Sequence, residues 1–251
     1  MYTINSRLFA NIFTIKEKPN VIVKTYDSSS QRRKEEQRLR SVAHLSNVPK
    51  IMGSSSHSIV MSRAPGKDLL SIVIKRQRIH EEEVKEIART LLGIVRELHT
   101  LGITHGDIKP ENIMYEENKR ILTLVDFEQD RYSKKYAAPE CFYDITKCRE
   151  TEHDIWCIGA TIYTILIGHN PYNDVNHLFS GLLYHDISTY GLSNEAQSFI
   201  RFILVKERLL RPDVNECLEH PWLKEEIPLL PIEIEEPTFI ETRKWPCCQI
   251  L

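Results

Sequence analysis

The first part of the chain alternates short apolar and polar stretches, which is the pattern of β-strands. The apolar groups stand at Leu8-Phe9, Ile12-Phe13, Ile15 and Val21-Ile22-Val23. Lys18-Pro19-Asn20 has the composition of a turn between two of these strands. Ser28-Ser29-Ser30 is expected to cap a helix that runs through Val42, and two further strands are predicted between Ile51 and Met61.

Helical periodicity dominates the rest of the chain. In Glu81–Thr100 apolar residues recur every three or four positions, which predicts an amphipathic helix. Residues 155–166 are almost wholly apolar and predict a buried helix. Shorter amphipathic helices are predicted at 196–205 and Val214–Leu218.

Together these elements predict an α+β fold with two lobes. A small β-rich N-terminal lobe covers residues 1–62, and a segment with the composition of a hinge, Arg63-Ala64-Pro65-Gly66-Lys67, follows it. Residues 68–224 form a larger helical lobe. Residues 225–251 are rich in Pro, Glu and Ile, and we expect them to wrap the surface or to be disordered.

The amino-acid composition disfavours several classes of protein, namely nucleic-acid binders, secreted proteins and zinc proteins. Of 251 residues, 41% are apolar and 27% charged, which is ordinary for a globular protein. The net charge of −2 gives no overall field toward nucleic acid or an anionic membrane, so no direct nucleic-acid partner is expected. No secretory segment is evident, which predicts an intracellular protein of the cytoplasm or nucleus. The six cysteines form no CxxC pair, which disfavours a zinc site and predicts free thiols.

The strongest motif lies in the middle of the chain. Residues 105–114 read His-Gly-Asp-Ile-Lys-Pro-Glu-Asn-Ile-Met, and Val-Asp-Phe follows at 125–127. Four polar side chains thereby stand at fixed spacings, namely Asp107, Lys109, Asn112 and Asp126. Such a set can orient a hydroxyl, hold a phosphoryl group and bind Mg²⁺. The stretch resembles the catalytic loop of protein kinases, with HGDIKPEN where the family has HRDxxxxN.

The resemblance implies a role for each residue of this motif. Asp107 would accept the proton of the substrate hydroxyl, and Lys109 would neutralise the transferred γ-phosphoryl group of ATP. Asn112 and Asp126 would supply the oxygen ligands that Mg²⁺ prefers. The Asp-x-Lys-Pro-Glu-Asn form resembles serine/threonine kinases more than tyrosine kinases.

The nucleotide phosphates would be held from the β-rich lobe. Residues 21–24 resemble the VAIK strand of the family, in which Lys24 would contact the α- and β-phosphates. Glu35 has the helical spacing of the glutamate that pairs with this lysine, and Glu36 is its competitor. The alternative for all three is a solvated edge or helix face, since arginines and lysines surround the glutamates.

Residues 59–69 resemble the hinge that holds adenine. Met61 would lie beside the base, and the backbones of Ser62 and Ala64 would hydrogen-bond its edge. Asp68 would lie near the ribose or near a basic residue of the substrate. A plain loop between lobes is the alternative, above all for Asp68.

Further matches are structural in the family. Tyr136-Ala137-Ala138-Pro139-Glu140 matches YxAPE, and Glu140 should pair with Arg211. Ser133 falls where the family has a threonine that contacts the catalytic aspartate and lysine. The helix start with Asp154, Trp156 and Gly159 and the end of the domain at His220-Pro221-Trp222-Leu223 also match, so the resemblance runs from about Val21 to Leu223.

The glycine-rich phosphate loop of the family is missing. The first glycine in the chain is Gly53, far beyond Lys24. If residues 5–12 take the place of this loop, their side chains crowd the approach of the backbone to phosphate. The alternative is that the loop itself is absent or disordered.

Three other departures lie near the predicted site. Glu128 replaces the glycine of the DFG motif, which adds a negative charge and removes conformational freedom. Gly106 replaces an arginine that normally binds a phosphorylated activation loop, and only fourteen positions separate Asp126 from Glu140. The short segment and the missing arginine predict a constitutively configured enzyme that needs no such phosphorylation.

The resemblance implies a compact serine/threonine protein kinase that uses Mg·ATP, with a protein substrate, of basic character if Asp68 or Glu111 contacts it. The pared-down first lobe also resembles small kinases of large DNA viruses. A pseudokinase scaffold is the alternative, favoured by the absent glycines and by Glu128.

The terminal Cys248-Gln-Ile-Leu fits the C-a-a-X pattern, which predicts a prenyl group and weak membrane association. Because so short a pattern is common by chance, an unmodified terminus is the alternative. Oligomeric state is left open.

Overall fold

The computed structural model describes residues 4–9, 11–128, 132–180 and 186–224. Its N-terminal part is an antiparallel sheet of five strands in the order β1-β2-β3-β5-β4, with one helix, α1, packed on β4 and β5. The elements are β1 (Ile4–Phe9), β2 (Ile12–Ile15), β3 (Lys18–Thr25), α1 (Ser29–Ser41), β4 (Ile51–Ser54) and β5 (Ser58–Ser62). Ser28 caps α1, as its sequence predicted, by accepting a hydrogen bond from Gln31 N.

The structure bears on two predictions for this sheet. The turn predicted at Lys18-Pro19-Asn20 is wrong, because β3 already begins at Lys18 and the turn occupies residues 16–17. The register shifts there, since Thr14 faces Ile22 while Ile15 faces Lys18, and this bulge accommodates a proline that has no N–H to donate. Of residues 5–12, which the sequence offered in place of the glycine-rich loop, those at 5–9 and 11–12 belong to the β1–β2 hairpin, and residue 10 lies outside the described residues.

The second part is mainly helical. It contains a small sheet in the order β6-β7-β8. Its elements are β6 (Lys67–Asp68), α2 (Leu69–Arg76), α3 (Glu81–Thr100), β7 (Ile113–Glu116), β8 (Ile121–Leu124), α4 (Thr151–Ile167), α5 (Val175–Ser180), α6 (Asn194–Ile203) and α7 (Val214–Leu218). Short 3₁₀ turns stand at Pro110–Asn112, Pro139–Phe142, Ile145–Arg149, Ile187–Tyr190, Arg208–Leu210 and Pro221–Leu223.

The two long helices form the centre of this part. The helix α3 has the predicted bounds, and three glutamates in its first turn favour its positive N-terminal end. Every side chain of α4 from His153 to Ile167 is buried, because α2, α3 and α6 pack around it. The helix ends at Gly168, whose φ of +89° and lack of a Cβ allow close approach to Gln77 O.

The predicted α+β fold, with its small β-rich part and larger helical part, is confirmed. Strand β5 ends at Ser62 and β6 begins at Lys67, so residues 63–66 of the predicted hinge form the irregular segment between them, and Lys67 belongs to β6. No helix among the described residues is both long and apolar enough to cross a bilayer. Residues 225–251, including Cys248, lie outside the described ranges, so the prenyl group stays a prediction.

Candidate active site

A cleft of about 840 Å³ lies between the sheet and the helical part, within the size range of small-molecule sites. Its wall contains nine of the ten residues that the sequence predicted for the site, leaving out only Asp68. The nine are Lys24, Glu35, Met61, Ser62, Ala64, Asp107, Lys109, Asn112 and Asp126. The fold therefore brings residues from distant parts of the sequence to one opening.

Lys24 connects the sheet, α1 and the segment after β8. Its Nζ lies 2.7 Å from Glu35 Oε2 and 2.6 Å from Asp126 Oδ1. Burial alone disfavours the charge of Lys24, but the carboxylates of Asp126 and Glu35 outweigh burial and hold its pKa above the usual value. Burial raises the pKa of Glu35 in spite of Lys24, so this carboxylate depends on its ammonium partner.

Of the two candidate glutamates on α1, the structure places Glu35 on Lys24. Glu35 is buried and also accepts a hydrogen bond of 2.9 Å from Tyr26 OH. Glu36 lies on a different side of the helix, where it contacts Arg32, Arg40 and Ser54 of β4. Adjacent positions on a helix point in directions about 100° apart, which separates the two roles.

Asp126 is held in the cleft by an unusual backbone. Its φ of +66° lies in the left-handed region, which costs a residue other than glycine about 1–2 kcal/mol. Two contacts hold the neighbouring backbone: Val125 N donates to Asn112 O at 2.9 Å, and Arg38 Nη1 donates to Phe127 O at 2.8 Å. Burial opposes ionisation of Asp126, yet Lys24 outweighs it and keeps the pKa of Asp126 below its usual range.

Sequence reasoning assigned no role to Arg38 and grouped it with a solvated basic face. The structure gives it an anchoring function, because its guanidinium donates to Phe127 O, next to Asp126, and to Thr104 O, just before the loop that carries Asp107. The signal that could have found it is its spacing, since Arg38 lies three positions after Glu35 and thus on the same helix face.

Glu128 adds a third carboxylate to Lys24. Its Oε2 lies 3.5 Å from Lys24 Nζ, and the carboxylate oxygens of Glu35, Asp126 and Glu128 lie within 4.8 Å of one another. Among the residues that the structure describes, the ammonium of Lys24 thus contacts all three carboxylates. Glu128, which replaces the glycine of the family motif, thus adds a negative charge to the cleft beside Lys24.

Asp107 is the centre of a second network. Lys109 Nζ lies 2.6 Å from Asp107 Oδ2 and donates to Ser133 Oγ at 2.7 Å. Ser133 N donates to Asp107 Oδ1 at 2.8 Å, so the structure places Ser133 in the predicted contact with both residues. Asn112 Nδ2 donates to Asp107 O at 2.8 Å and to Oδ2 at 3.2 Å. The carboxylate is fixed from three sides.

Asp154 binds the backbone of the loop that carries Asp107. It is fully buried at the start of α4, where His105 N and Gly106 N each donate to its carboxylate at 2.8 Å. His99 Nε2 lies 3.0 Å from the same group. Burial opposes the charge of Asp154, but its hydrogen bonds, the one from His99 foremost, keep its pKa below the usual range.

Asp154→Asn is expected to lower the free energy of unfolding by about 2 kcal/mol at pH 7. In the wild type, the ionised Asp154 carboxylate contributes its full share of the free energy of unfolding above the ordinary aspartate pKa of about 3.9. This share is lost as the pH falls through the lower pKa of Asp154 in the folded state. Urea unfolding from pH 7 to pH 3 should therefore show the two proteins converging below about pH 4. A constant difference across that range would contradict this role of the carboxylate.

The hinge residues line the cleft with different groups. Met61 is buried on β5 opposite Ile22. Ser62 N donates to Lys50 O at 2.8 Å, which leaves the carbonyl of Ser62, rather than its N–H, for an adenine edge. Ala64 follows in the irregular segment and lines the same wall.

Asp68 lies elsewhere. Its carboxylate caps α2, accepting hydrogen bonds from Ser71 N at 2.8 Å and Ser71 Oγ at 2.6 Å. A short acidic side chain immediately before a helix commonly takes this position, because it satisfies an unpaired N–H of the first turn. The predicted ribose contact gains no support from this placement.

Asn112 and Asp126 could hold a hard cation. The hydrogen bonds of Asn112 to Asp107 use its amide nitrogen, so the carbonyl oxygen Oδ1 is the group that remains for a ligand. Asp126 contributes carboxylate oxygens from the neighbouring segment. Oxygen donors of this kind suit Mg²⁺.

An ion pair between Glu140 and Arg211, outside the cleft, fixes the segment of chain that follows Ser133. Glu140 accepts from Arg211 Nη1 at 2.8 Å and from Nη2 at 3.1 Å, as the sequence predicted for this pair. The Arg211 side chain has 0% exposure and lies over Trp156, with 5.0 Å from its Cζ to the ring centroid. Its remaining donors reach the carbonyls of Glu152, Val205 and Lys206.

Comparison with known proteins gives consistent results. The protein kinase domain family matches residues 7–223. The serine/threonine-protein kinase PSK2 of Saccharomyces cerevisiae is 32% identical over 168 residues, which cover 62% of this chain and 15% of that protein. Calcium-dependent protein kinase 2 of Arabidopsis thaliana is 28% identical over 217 residues, 76% of this chain and 33% of that protein. The chain thus spans no more than about a third of either relative.

Solved structures share the fold. The crystal structure of the Rad53 kinase domain and SCD2 has a TM-score of 0.78 at 23% identity, covering 89% of this chain and 88% of that one. The same protein in complex with AMPPNP has a TM-score of 0.76, also at 23% identity, with 89% and 90% covered. At this identity the likeness concerns the fold.

Proposed function

Because the chain belongs to the protein kinase family, we propose that it is a serine/threonine kinase that transfers the γ-phosphoryl group of ATP to hydroxyl groups of proteins. The observation that carries the proposal is the meeting of Lys24, Asp107 and Asp126 in one cleft. The named serine/threonine kinases among its relatives support the choice of hydroxyl. The likeness to kinases of DNA viruses stays a prediction.

Asp107 would act on the substrate hydroxyl. Ser133 N and Lys109 hold its two carboxylate oxygens, so the group cannot rotate freely. A fixed carboxylate can align a serine or threonine hydroxyl and take its proton as the bond to phosphorus forms. Lys109 lies beside it and would stabilise the charge that develops on the transferred group.

Lys24 would hold the nucleotide phosphates. Its ammonium is kept charged and oriented by Glu35, which itself is fixed by Tyr26. AMPPNP, an ATP analogue, is bound by the Rad53 neighbour, and this supports ATP as the nucleotide here. Mg²⁺ held by Asn112 and Asp126 would supply positive charge to the triphosphate.

Lys24→Met is expected to lower kcat/KM for Mg·ATP by about 10- to 100-fold, because a charge-assisted contact to phosphate is lost. Initial rates with a basic protein substrate measure this effect. Lys16→Met, which replaces an exposed lysine in the β2–β3 turn, is the matched control and should leave the rate unchanged. Thermal unfolding of both variants separates a lost contact from a lost fold. Equal rates for both variants would contradict the proposed role of Lys24.

The alternative is a scaffold that binds partners without phosphoryl transfer. Glu128 favours it, because a third carboxylate on Lys24 competes with the phosphates for the same ammonium. The scaffold predicts nucleotide binding that is weak or absent and no transfer in any variant. The retained network around Asp107 favours the enzyme, since a scaffold needs no oriented carboxylate at that position.

Glu128→Gln is expected to lower KM for Mg·ATP about two- to fivefold, because one negative charge near the triphosphate is removed. Steady-state kinetics at two ionic strengths would measure the change, which should shrink at high salt. Glu195→Gln, at an exposed position on α6, is the control. A higher KM in the Glu128 variant would mean that this carboxylate assists nucleotide binding.

The substrate preference, the location in the cell and the lipid modification of the protein are also proposals. Glu111 is exposed on the cleft wall and would favour substrates with a basic residue near the target hydroxyl. An intracellular location and a prenyl group on Cys248 also stay proposals. The intact mass of the protein from its native host tests the lipid directly.

A further inference from the structure

Three cysteines and one histidine meet beneath the loop that carries Asp107. Cys141 and Cys148 lie in the two 3₁₀ turns that precede α4, and His153 and Cys157 lie on α4 itself. All four side chains are buried. Cys141 Sγ lies 3.2 Å from His153 Nδ1, and the ligand atoms of Cys141, Cys148 and His153 lie within 4.8 Å of one another.

We propose that Cys141, Cys148 and His153 form a structural zinc site. Thiolate and imidazole are the ligands that zinc prefers, and structural sites are closed to solvent as this cluster is. Zn–S and Zn–N bonds of about 2.3 and 2.0 Å require ligand atoms about 3.5–3.8 Å apart in a tetrahedron. The separations between the three atoms need to change by no more than about 1 Å, and the Cys141–His153 pair, now at 3.2 Å, would move slightly apart. Each coordinating thiol releases its proton to solvent on binding.

His153 is oriented as a metal ligand would be. Its Nε2 lies 3.3 Å from Gly106 O, so this nitrogen donates to a backbone carbonyl and Nδ1 presents its lone pair to the cluster. Metal-binding histidines commonly use their second nitrogen in this way, which fixes the tautomer and the ring. Ala138 N makes a long contact of 3.4 Å with Nδ1, and zinc would replace it.

Cys157 is the nearest candidate for a fourth ligand. It follows His153 by four positions on α4, so both side chains share one face of the helix. Its Sγ lies 3.9 Å from His153 Nδ1 and 3.3 Å from Nε2, outside the close group of the other three ligand atoms, and donates to Tyr136 O at 3.2 Å. Either this thiol, after exchanging that hydrogen bond, or a water molecule would complete the tetrahedron.

The absence of a CxxC pair led the sequence interpretation away from zinc. The spacing is instead C-x6-C-x4-H-x3-C across residues 141–157, and only the two 3₁₀ turns and the start of α4 bring it together. A bound ion would tie the segment after Glu140 to α4 and, through Gly106 O, to the loop of Asp107. The ion would thus hold the segment after Glu140 in place next to Gly106. At this position the family normally has the arginine that binds a phosphorylated activation loop.

The test is the zinc content of the full chain, which is independent of catalysis. Protein purified under reducing conditions, stripped with a chelator and then given stoichiometric Zn²⁺ is analysed by plasma mass spectrometry and native mass spectrometry. We expect about one zinc ion per chain, and cobalt substitution should give thiolate-to-cobalt charge-transfer absorption. The Cys141→Ser/Cys148→Ser variant should lose the ion. Cys217→Ser, which removes a buried thiol on α7, should keep it.

Wild-type protein that takes up no zinc overturns the proposal. This holds whether its thiols stay free or whether an intact mass lower by two hydrogen atoms reveals a Cys141–Cys148 disulfide. Retention of the ion by the double serine variant overturns it as well. Circular dichroism shows whether that variant folds, and the wild-type zinc content decides the matter even if it does not. In Cys157→Ser, affinity reduced by about 10- to 100-fold supports a fourth protein ligand, and unchanged affinity supports the three-ligand site with water.

Discussion

Asp107→Asn is expected to lower kcat by about 100- to 10,000-fold while leaving KM for Mg·ATP within about threefold of the wild-type value. The asparagine has the shape of aspartate and keeps an oxygen for Ser133 N, but it cannot take a proton from the substrate hydroxyl. Because Lys24, Asn112 and Asp126 are unchanged, nucleotide binding should persist. A loss confined to kcat is the signature of a group that acts on the hydroxyl rather than on ATP.

The measurement combines initial rates at saturating Mg·ATP with calorimetric titration of the nucleotide. Asp186→Asn is the matched control, since this exposed residue caps the turn Ile187–Tyr190 and asparagine caps as well as aspartate. Retention of more than about a tenth of the wild-type kcat by Asp107→Asn would remove this residue from the proposed chemistry.

Glu140→Gln is expected to lower the free energy of unfolding by about 3–5 kcal/mol. The guanidinium of Arg211 would stay buried without a countercharge, and a glutamine can accept only one of the two hydrogen bonds it now receives. The carbonyls that Arg211 also contacts cannot neutralise it. Urea unfolding at pH 7 measures the difference.

A second variant separates the ion pair from the packing around it. Glu140→Gln/Arg211→Met should be more stable than Glu140→Gln alone, because the unpaired charge is gone. Glu150→Gln, which alters a half-buried carboxylate bonded to Lys147 and Arg208, should cost no more than about 1 kcal/mol. Equal losses for the two single variants would contradict the buried-charge account.

Local patterns predicted the elements whose signal lies within one stretch of sequence. The apolar spacing of Glu81–Thr100 predicts α3 to the residue, because an amphipathic helix must bury one face. Ser28 predicts the start of α1 for a similarly local reason. The turn at residues 18–20 was predicted wrongly, since a strand bulge can accommodate a proline that would break a regular ladder.

The site could be predicted only in part. The family motif identified Lys24 and Asp126, but their contact spans 102 positions and depends on the whole fold. Asp68 followed the motif in sequence and yet serves as a helix cap, because the local need of α2 for an acceptor determines its position. The cysteine cluster was missed because its members come from three elements and form no CxxC pair, and Arg38 was missed because its partners Phe127 and Thr104 lie 89 and 66 positions away in the sequence.

The most direct measurement follows the label of ATP into a protein. The full chain is given a basic protein substrate and Mg·ATP labelled either on the γ- or on the α-phosphate, and the modified residues are identified by mass spectrometry. The account predicts γ-label on serine or threonine hydroxyls, no transfer of α-label and loss of transfer when Mg²⁺ is chelated. Binding of the nucleotide without any transferred label would contradict it and would leave a scaffold in place of an enzyme.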